Sequence, residues 1–109
     1  MINLMKQFTA EQLKDYLGTG KNPVILDVRE AWEYETCHLE NSIHISMSQI
    51  PARLDELDPE VETIVLCHYG MRSKQVIAYL QTQGFNNLIN LDGGIDAWSK
   101  SVDTTMQQY

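Results

Sequence analysis

Val24-Ile25-Leu26-Asp27-Val28 is an apolar run broken only by Asp27. A strand with one wet face alternates polar and apolar residues. A run without that alternation is buried on both faces, as in a parallel sheet sandwiched between helices. Two more short runs, Thr63-Ile64-Val65-Leu66-Cys67 and Leu88-Ile89-Asn90-Leu91, read as strands. Ser42-Ile43-His44-Ile45 is a weaker one, and a short strand is expected around Leu4 to Phe8.

Helical segments alternate with these strands. Thr9-Ala10-Glu11-Gln12 fits a capping box, and Leu13, Tyr16 and Leu17 follow at helical spacing before Gly18 and Gly20. Arg29 to Glu35 reads as a short helix. Ser46 or Ser48 is expected to cap the next one, with Ile50, Leu54 and Leu57 on one face, Pro51 in its first turn and Asp58-Pro59 at its end. Lys74 to Gln83 buries Val76, Ile77 and Leu80 and closes at Gly84. Ile95 to Lys100 is a last helix with Trp98 inward. Strand–helix alternation predicts a mostly parallel sheet with helices on both faces, joined by right-handed crossovers. Residues 1–100 are expected to form one domain, and the polar residues 101–109 a frayed tail.

The 109 residues suffice for one core. Eight Lys+Arg against fifteen Asp+Glu give a formal charge of -7. That argues against nucleic acid, which needs a basic face. No window approaches the ~18 apolar residues that span a bilayer, so no membrane partner is expected. The start, Met1-Ile2-Asn3-Leu4-Met5-Lys6-Gln7, lacks signal-peptide character, which predicts a cytoplasmic location. There a pair of cysteines, Cys37 and Cys67, would stay reduced.

Cys67 ends the strongest strand and opens Cys67-His68-Tyr69-Gly70-Met71-Arg72-Ser73, ahead of a helix. In open α/β sheets ligands bind at such strand ends. A free thiol is only a few per cent ionised at neutral pH. Loop N–H groups, a helix N-terminus and the Arg72 charge all favour its thiolate. Gly70 allows a tight turn at positive φ, and no proline removes a donor. Arg72 and Lys74, with no acid between Cys67 and Lys74, form a cationic spot suited to a small anion. Cys67 is therefore the candidate nucleophile, and His68, Tyr69, Gly70, Met71, Arg72 and Ser73 are the candidate substrate-binding residues.

Four segments together resemble the rhodanese-like sulfurtransferases. They are Leu26-Asp27-Val28-Arg29-Glu30; Glu33-Tyr34 with His38-Leu39-Glu40-Asn41-Ser42-Ile43; Cys67 to Ser73; and Leu91-Asp92-Gly93-Gly94-Ile95-Asp96-Ala97-Trp98. The resemblance implies a three-layer α/β/α fold around a five-stranded sheet. It implies that Cys67 takes sulfane sulfur from a small anionic donor such as thiosulfate, becomes a persulfide, and passes the sulfur to a thiol or a protein cysteine. Neither metal nor organic cofactor is implied. Two alternatives stand beside this reading. One is a persulfide carrier or interaction module that turns over thiosulfate poorly. The other is a phosphatase or arsenate reductase of related fold. Four residues, rather than the phosphatases' five, separate Cys67 from Arg72, and this disfavours the second.

Two departures from the family pattern stand out. Cys37 replaces a usual Gly, and Glu40-Asn41 replaces Pro-Gly. Cys37 reads as a small filler at a turn, or as a resolving thiol for an oxidised Cys67. Asp27, Arg29 and His38 read as an ion-pair network fixing the turns, in preference to a base or metal site. Cys37-His38 and Cys67-His68 lack zinc-ligand spacing. Trp32 and Trp98 read as core or rim packing.

Overall fold

A computed structural model describes residues 5–109. Five strands form one sheet: β1 (Gln7–Phe8), β2 (Val24–Asp27), β3 (Ile43–His44), β4 (Thr63–Leu66) and β5 (Leu88–Leu91), in the order β1-β5-β4-β2-β3. Every pairing is parallel, with Leu26 beside Val65 and Ile64 beside Ile89. The expected first strand is present in part; its residue Leu4 lies outside the described residues.

Side chains alternate across the sheet and build two cores. Leu26, Val28, Val65 and Cys67 pack with Val76, Ile77 and Leu80 of α3 (Met71–Thr82). Ile25, Ile64, Leu66, Ile89 and Leu91 pack on the other side with Leu13 of α1 (Ala10–Gly18) and Ile95 of α4 (Gly94–Ser101). The fold is the three-layer α/β/α arrangement. No helix among the described residues is long and apolar enough to cross a membrane.

Local chemistry explains most of the element ends. Thr9 caps α1, accepting the Gln12 N–H at 3.1 Å while Gln12 Oε1 accepts the Thr9 N–H at 2.8 Å. Asn41 takes φ 61°, so at the Glu40-Asn41 turn Asn supplies the left-handed conformation. The expected helix after β3 is instead two 3-10 segments, Met47–Gln49 and Pro51–Glu56. Pro51 has no N–H to continue an α-helical ladder, and Arg53 at φ -120° interrupts the second segment. The Ser46 hydroxyl caps neither segment.

Residues 101–109, expected as a polar tail, make contacts with the domain. Met106 and Tyr109 pack against the second core, and the Tyr109 hydroxyl accepts from Arg29 Nη1 at 2.8 Å. Arg29 is fully buried. It donates to both Asp27 carboxylate oxygens, to the carbonyls of Glu33 (3.1 Å) and Cys37 (2.7 Å), and to Tyr109. His38 stays outside this network; it is exposed and stacked on Tyr34, with ring centroids 4.0 Å apart. Asp27 and Arg29 thus tie β2 to α2 (Ala31–Thr36) and to the end of the described chain.

Removing one partner of a fully buried pair strands the other charge. Asp27→Asn should therefore cost about 3–5 kcal/mol in urea denaturation at neutral pH. A loss below about 1 kcal/mol, the scale of an exposed pair, would contradict this.

Candidate functional site

β2 leads outward to β3, whereas β4 leads the other way to β5. Their carboxyl ends therefore flank the point where the chain reverses direction, the usual crevice of an open parallel sheet. Arg29 and α2 follow β2, and Cys67 and α3 follow β4. This topology brings Glu33 and Arg72, 39 residues apart, into contact.

Cys67 lies one residue past β4, and its sulfur receives the Gly70 N–H at 3.1 Å and the Ser73 N–H at 3.4 Å. All six loop residues were candidate donors; the main-chain hydrogen bonds to the sulfur come from these two. Gly70 sits at φ 99°, and a Cβ there would press on Gly93 N at 3.2 Å and Leu91 O at 3.3 Å. Glycine is needed at that position for both conformation and space. Helix α3 begins at Met71, earlier than the expected Lys74, so Arg72 and Ser73 belong to its first turn. Cys67 itself is only 1% exposed.

The loop's first two peptide units are anchored on α4. Ile95 N–H donates to the Cys67 carbonyl at 2.9 Å and Asp96 N–H to the His68 carbonyl at 3.0 Å. Those N–H groups would otherwise lack partners at the helix start. Any Cβ on Gly94 would collide with the same two carbonyls. From β5, fully buried Asn90 accepts the Ser73 hydroxyl at 2.5 Å, with its amide nitrogen 3.0 Å from Gln7 Oε1 and 3.4 Å from the Gly70 carbonyl. The Ser73 hydroxyl hydrogen is thus committed to Asn90. Its 3.4 Å contact with the Cys67 sulfur can only accept a thiol hydrogen, and offers a thiolate no donor.

Within the expected cationic spot, Arg72 is paired with an acid, Glu33. Arg72 donates to it through both terminal nitrogens, at 2.6 and 2.9 Å. Glu33 Oε1 also accepts the Glu30 N–H at 3.0 Å, and Oε2 the Tyr109 hydroxyl at 2.7 Å. Arg72 holds the Glu33 carboxyl at about 2 instead of an ordinary 4.5, outweighing burial, with Glu30 and Tyr109 assisting. Burial pushes the Tyr109 phenol up, so it remains a donor at neutral pH. Burial alone would lower Arg29, but the hydrogen bonds it donates to Asp27 and Tyr109, and their charges, outweigh it and leave it raised.

His68 does not simply face water. Its ring is stacked between Tyr69, at 3.9 Å, and Tyr109, at 4.0 Å. Burial lowers its pKa from 6.5 and favours the neutral ring. Tyr69 and Met71 are the exposed members of the loop, at 61% and 65%. Cys37 and Cys67 are both free thiols and pack against opposite faces of the sheet. Trp98 packs on the second core, whereas Trp32 is exposed and meets Tyr109 edge to face. Among the described residues, no group of three or more His, Cys, Asp or Glu is arranged to hold a metal ion. A cavity of about 430 Å³ near Leu39, Asn41 and Trp98 contains none of the loop residues.

Glu33, Asn90, Gly94 and Tyr109 were not singled out as site residues from the sequence. Asn90 had a visible signal, a lone polar residue inside an apolar strand. The Gly93-Gly94 pair before a helix was another.

Glu33 and His68 both weaken the fold in acid. A lowered carboxyl stabilises above its unfolded value of 4.5 and loses that contribution as pH falls through about 2. A lowered His likewise stabilises above 6.5 and less below it. Glu33→Gln should cost on the order of 2 kcal/mol at neutral pH, discounted because Arg72 is partly solvated. The variant should also lose less stability than wild type between pH 4.5 and 2. Urea denaturation across that range checks this, and an unchanged acid slope would contradict it.

The chain matches the family model described as Rhodanese-like domain over residues 9–101. It is 34% identical over 94 residues to a putative sulfurtransferase, YtwF, of Bacillus subtilis, covering 86% of this chain and 90% of the relative. It is 36% identical over 82 residues to the thiosulfate sulfurtransferase GlpE of Coxiella burnetii, covering 75% and 77%. A crystal structure of a rhodanese-like domain protein from Staphylococcus aureus superposes with a TM-score of 0.82 at 33% identity, covering 86% of this chain and 91% of that one. Sheet order, the Cys67 loop and these matches agree: the chain belongs to the rhodanese-like domain family.

Proposed function

We propose that this chain is a sulfurtransferase whose Cys67 carries sulfur as a persulfide. The observation that carries the reading is the sulfur of Cys67 under two converging N–H groups, Gly70 and Ser73, at the start of α3. Such donors stabilise a thiolate and, after transfer, a persulfide anion. The sulfurtransferase relatives support the reaction class.

The Cys67 thiolate attacks the sulfane sulfur of the donor. A new S–S bond forms, the donor's own S–S bond breaks, and its electron pair leaves with sulfite or with a thiolate. An acceptor nucleophile then attacks the outer sulfur, the persulfide bond breaks, and its pair returns to Cys67. Charge balances at each step, and no oxidant is required. This is covalent catalysis in two displacements. Because Cys67 is nearly covered, the path to its sulfur must open for each displacement.

Intact mass after incubation with thiosulfate, and separately with glutathione persulfide, tests the reading. The chain should gain one sulfur atom from at least one donor, lose it to cyanide or dithiothreitol, and gain none as Cys67→Ser. No gain from either donor, or an equal gain in Cys67→Ser, would sink it.

A further inference from the structure

We propose that Glu33, held by Tyr109, sets which donors the site accepts: it occupies the Arg72 guanidinium, so small dianions are disfavoured and donors bringing less charge, persulfides borne on a thiol, are preferred. The inference rests on the sulfur-transfer reading of Cys67 and specifies its substrate class.

Four donors converge on the two Glu33 oxygens: both Arg72 terminal nitrogens, the Glu30 N–H and the Tyr109 hydroxyl. The carboxylate is 5% exposed and cannot turn aside without abandoning several of them. Tyr109 is itself held at three points. Arg29 donates to its hydroxyl at 2.8 Å, His68 stacks on its ring at 4.0 Å, and the Trp32 ring lies T-shaped to it with centroids 5.4 Å apart. Arg72 reaches Glu33 from the first turn of α3, the same turn that donates Ser73 N–H to the Cys67 sulfur.

Charge counting around the sulfur follows. Arg29 is spent on Asp27. Arg72 is spent on Glu33. Lys74 lies two residues beyond Arg72 on α3, and residues at that spacing do not share a helix face. An incoming dianion therefore meets a thiolate without a free guanidinium beside it. Taking Arg72 would leave the Glu33 carboxylate buried and uncompensated next to the bound anion. A persulfide on an otherwise neutral thiol brings one negative charge and needs no such exchange. The exposed Tyr69 ring stacked on His68, and exposed Met71, offer apolar surface on the loop, which suits a carbon-borne donor better than a hydrated ion.

The test separates binding from turnover. In a Cys67→Ala background no sulfur can move, and thiosulfate is titrated against the backbone amide signals of the chain. Adding Glu33→Gln should tighten thiosulfate binding roughly tenfold, the effect of unmasking one partly screened charge. Tyr109→Phe keeps the ring on His68 and removes the donation to Glu33 along with one acceptor of Arg29 Nη1, which still donates to the Glu33 carbonyl; it should tighten binding roughly twofold to threefold. This variant decides the matter if Glu33→Gln does not fold. With Cys67 intact, both changes should raise kcat/KM for thiosulfate relative to the persulfide of 2-mercaptoethanol, which carries a single negative charge, through KM rather than kcat. Thiosulfate binding that is unchanged, weaker or undetectable in the folded variants overturns the role of Glu33. Failure of Cys67 to gain sulfur from any donor would instead overturn the reaction itself and leave the binding result standing.

Discussion

The carbonyls of Cys67 and His68 accept the Ile95 and Asp96 N–H groups at the start of α4, and the geometry of the site depends on that pair of bonds. They satisfy donors that a helix start leaves open. They also fix the first two peptide units of the loop against β5's follow-on helix. The chain must then reverse at Gly70, which only glycine can do at φ 99° against Gly93 and Leu91. The reversal delivers the Gly70 and Ser73 N–H groups to one sulfur. Gly94 makes the close approach possible by having no side chain.

A second layer surrounds this one. β2 and β4 send their chains in opposite directions, and the charged residues beyond them meet across the gap. Asp27, Arg29, Tyr109, Glu33 and Arg72 form a continuous chain of hydrogen bonds there. Its inner end is fully buried and its outer end, Arg72, keeps a third of its side chain in water. A buried network of this kind is costly to leave half-satisfied, so its members fix one another's positions. No buried side-chain nitrogen or oxygen among the described residues lacks a partner.

The strands, the α1 capping box and the Cys67 loop were legible because each is written in adjacent residues. Apolar runs announced β2, β4 and β5, and Thr9 with Gln12 announced a helix start. What escaped depends on distance along the chain. Nothing local marks Glu33 as the partner of Arg72, 39 residues away, or Tyr109 as the partner of Arg29, 80 residues away. For the same reason nothing in residues 101–109 announced the contacts Tyr109 makes with Arg29 and Glu33. The 3-10 segments escaped because apolar spacing over Ile50, Leu54 and Leu57 suits an α-helix, while Pro51 denies it a donor in mid-run.

The decisive question is whether Gly70 and Ser73 donate to the Cys67 sulfur in solution. Their amide proton shifts, followed as pH is raised through the ionisation of Cys67, answer it most directly. Both should move downfield together with a single midpoint, and neither should do so in Cys67→Ala. Shifts that stay flat through that ionisation, or that persist without the cysteine, would contradict the proposed cradle.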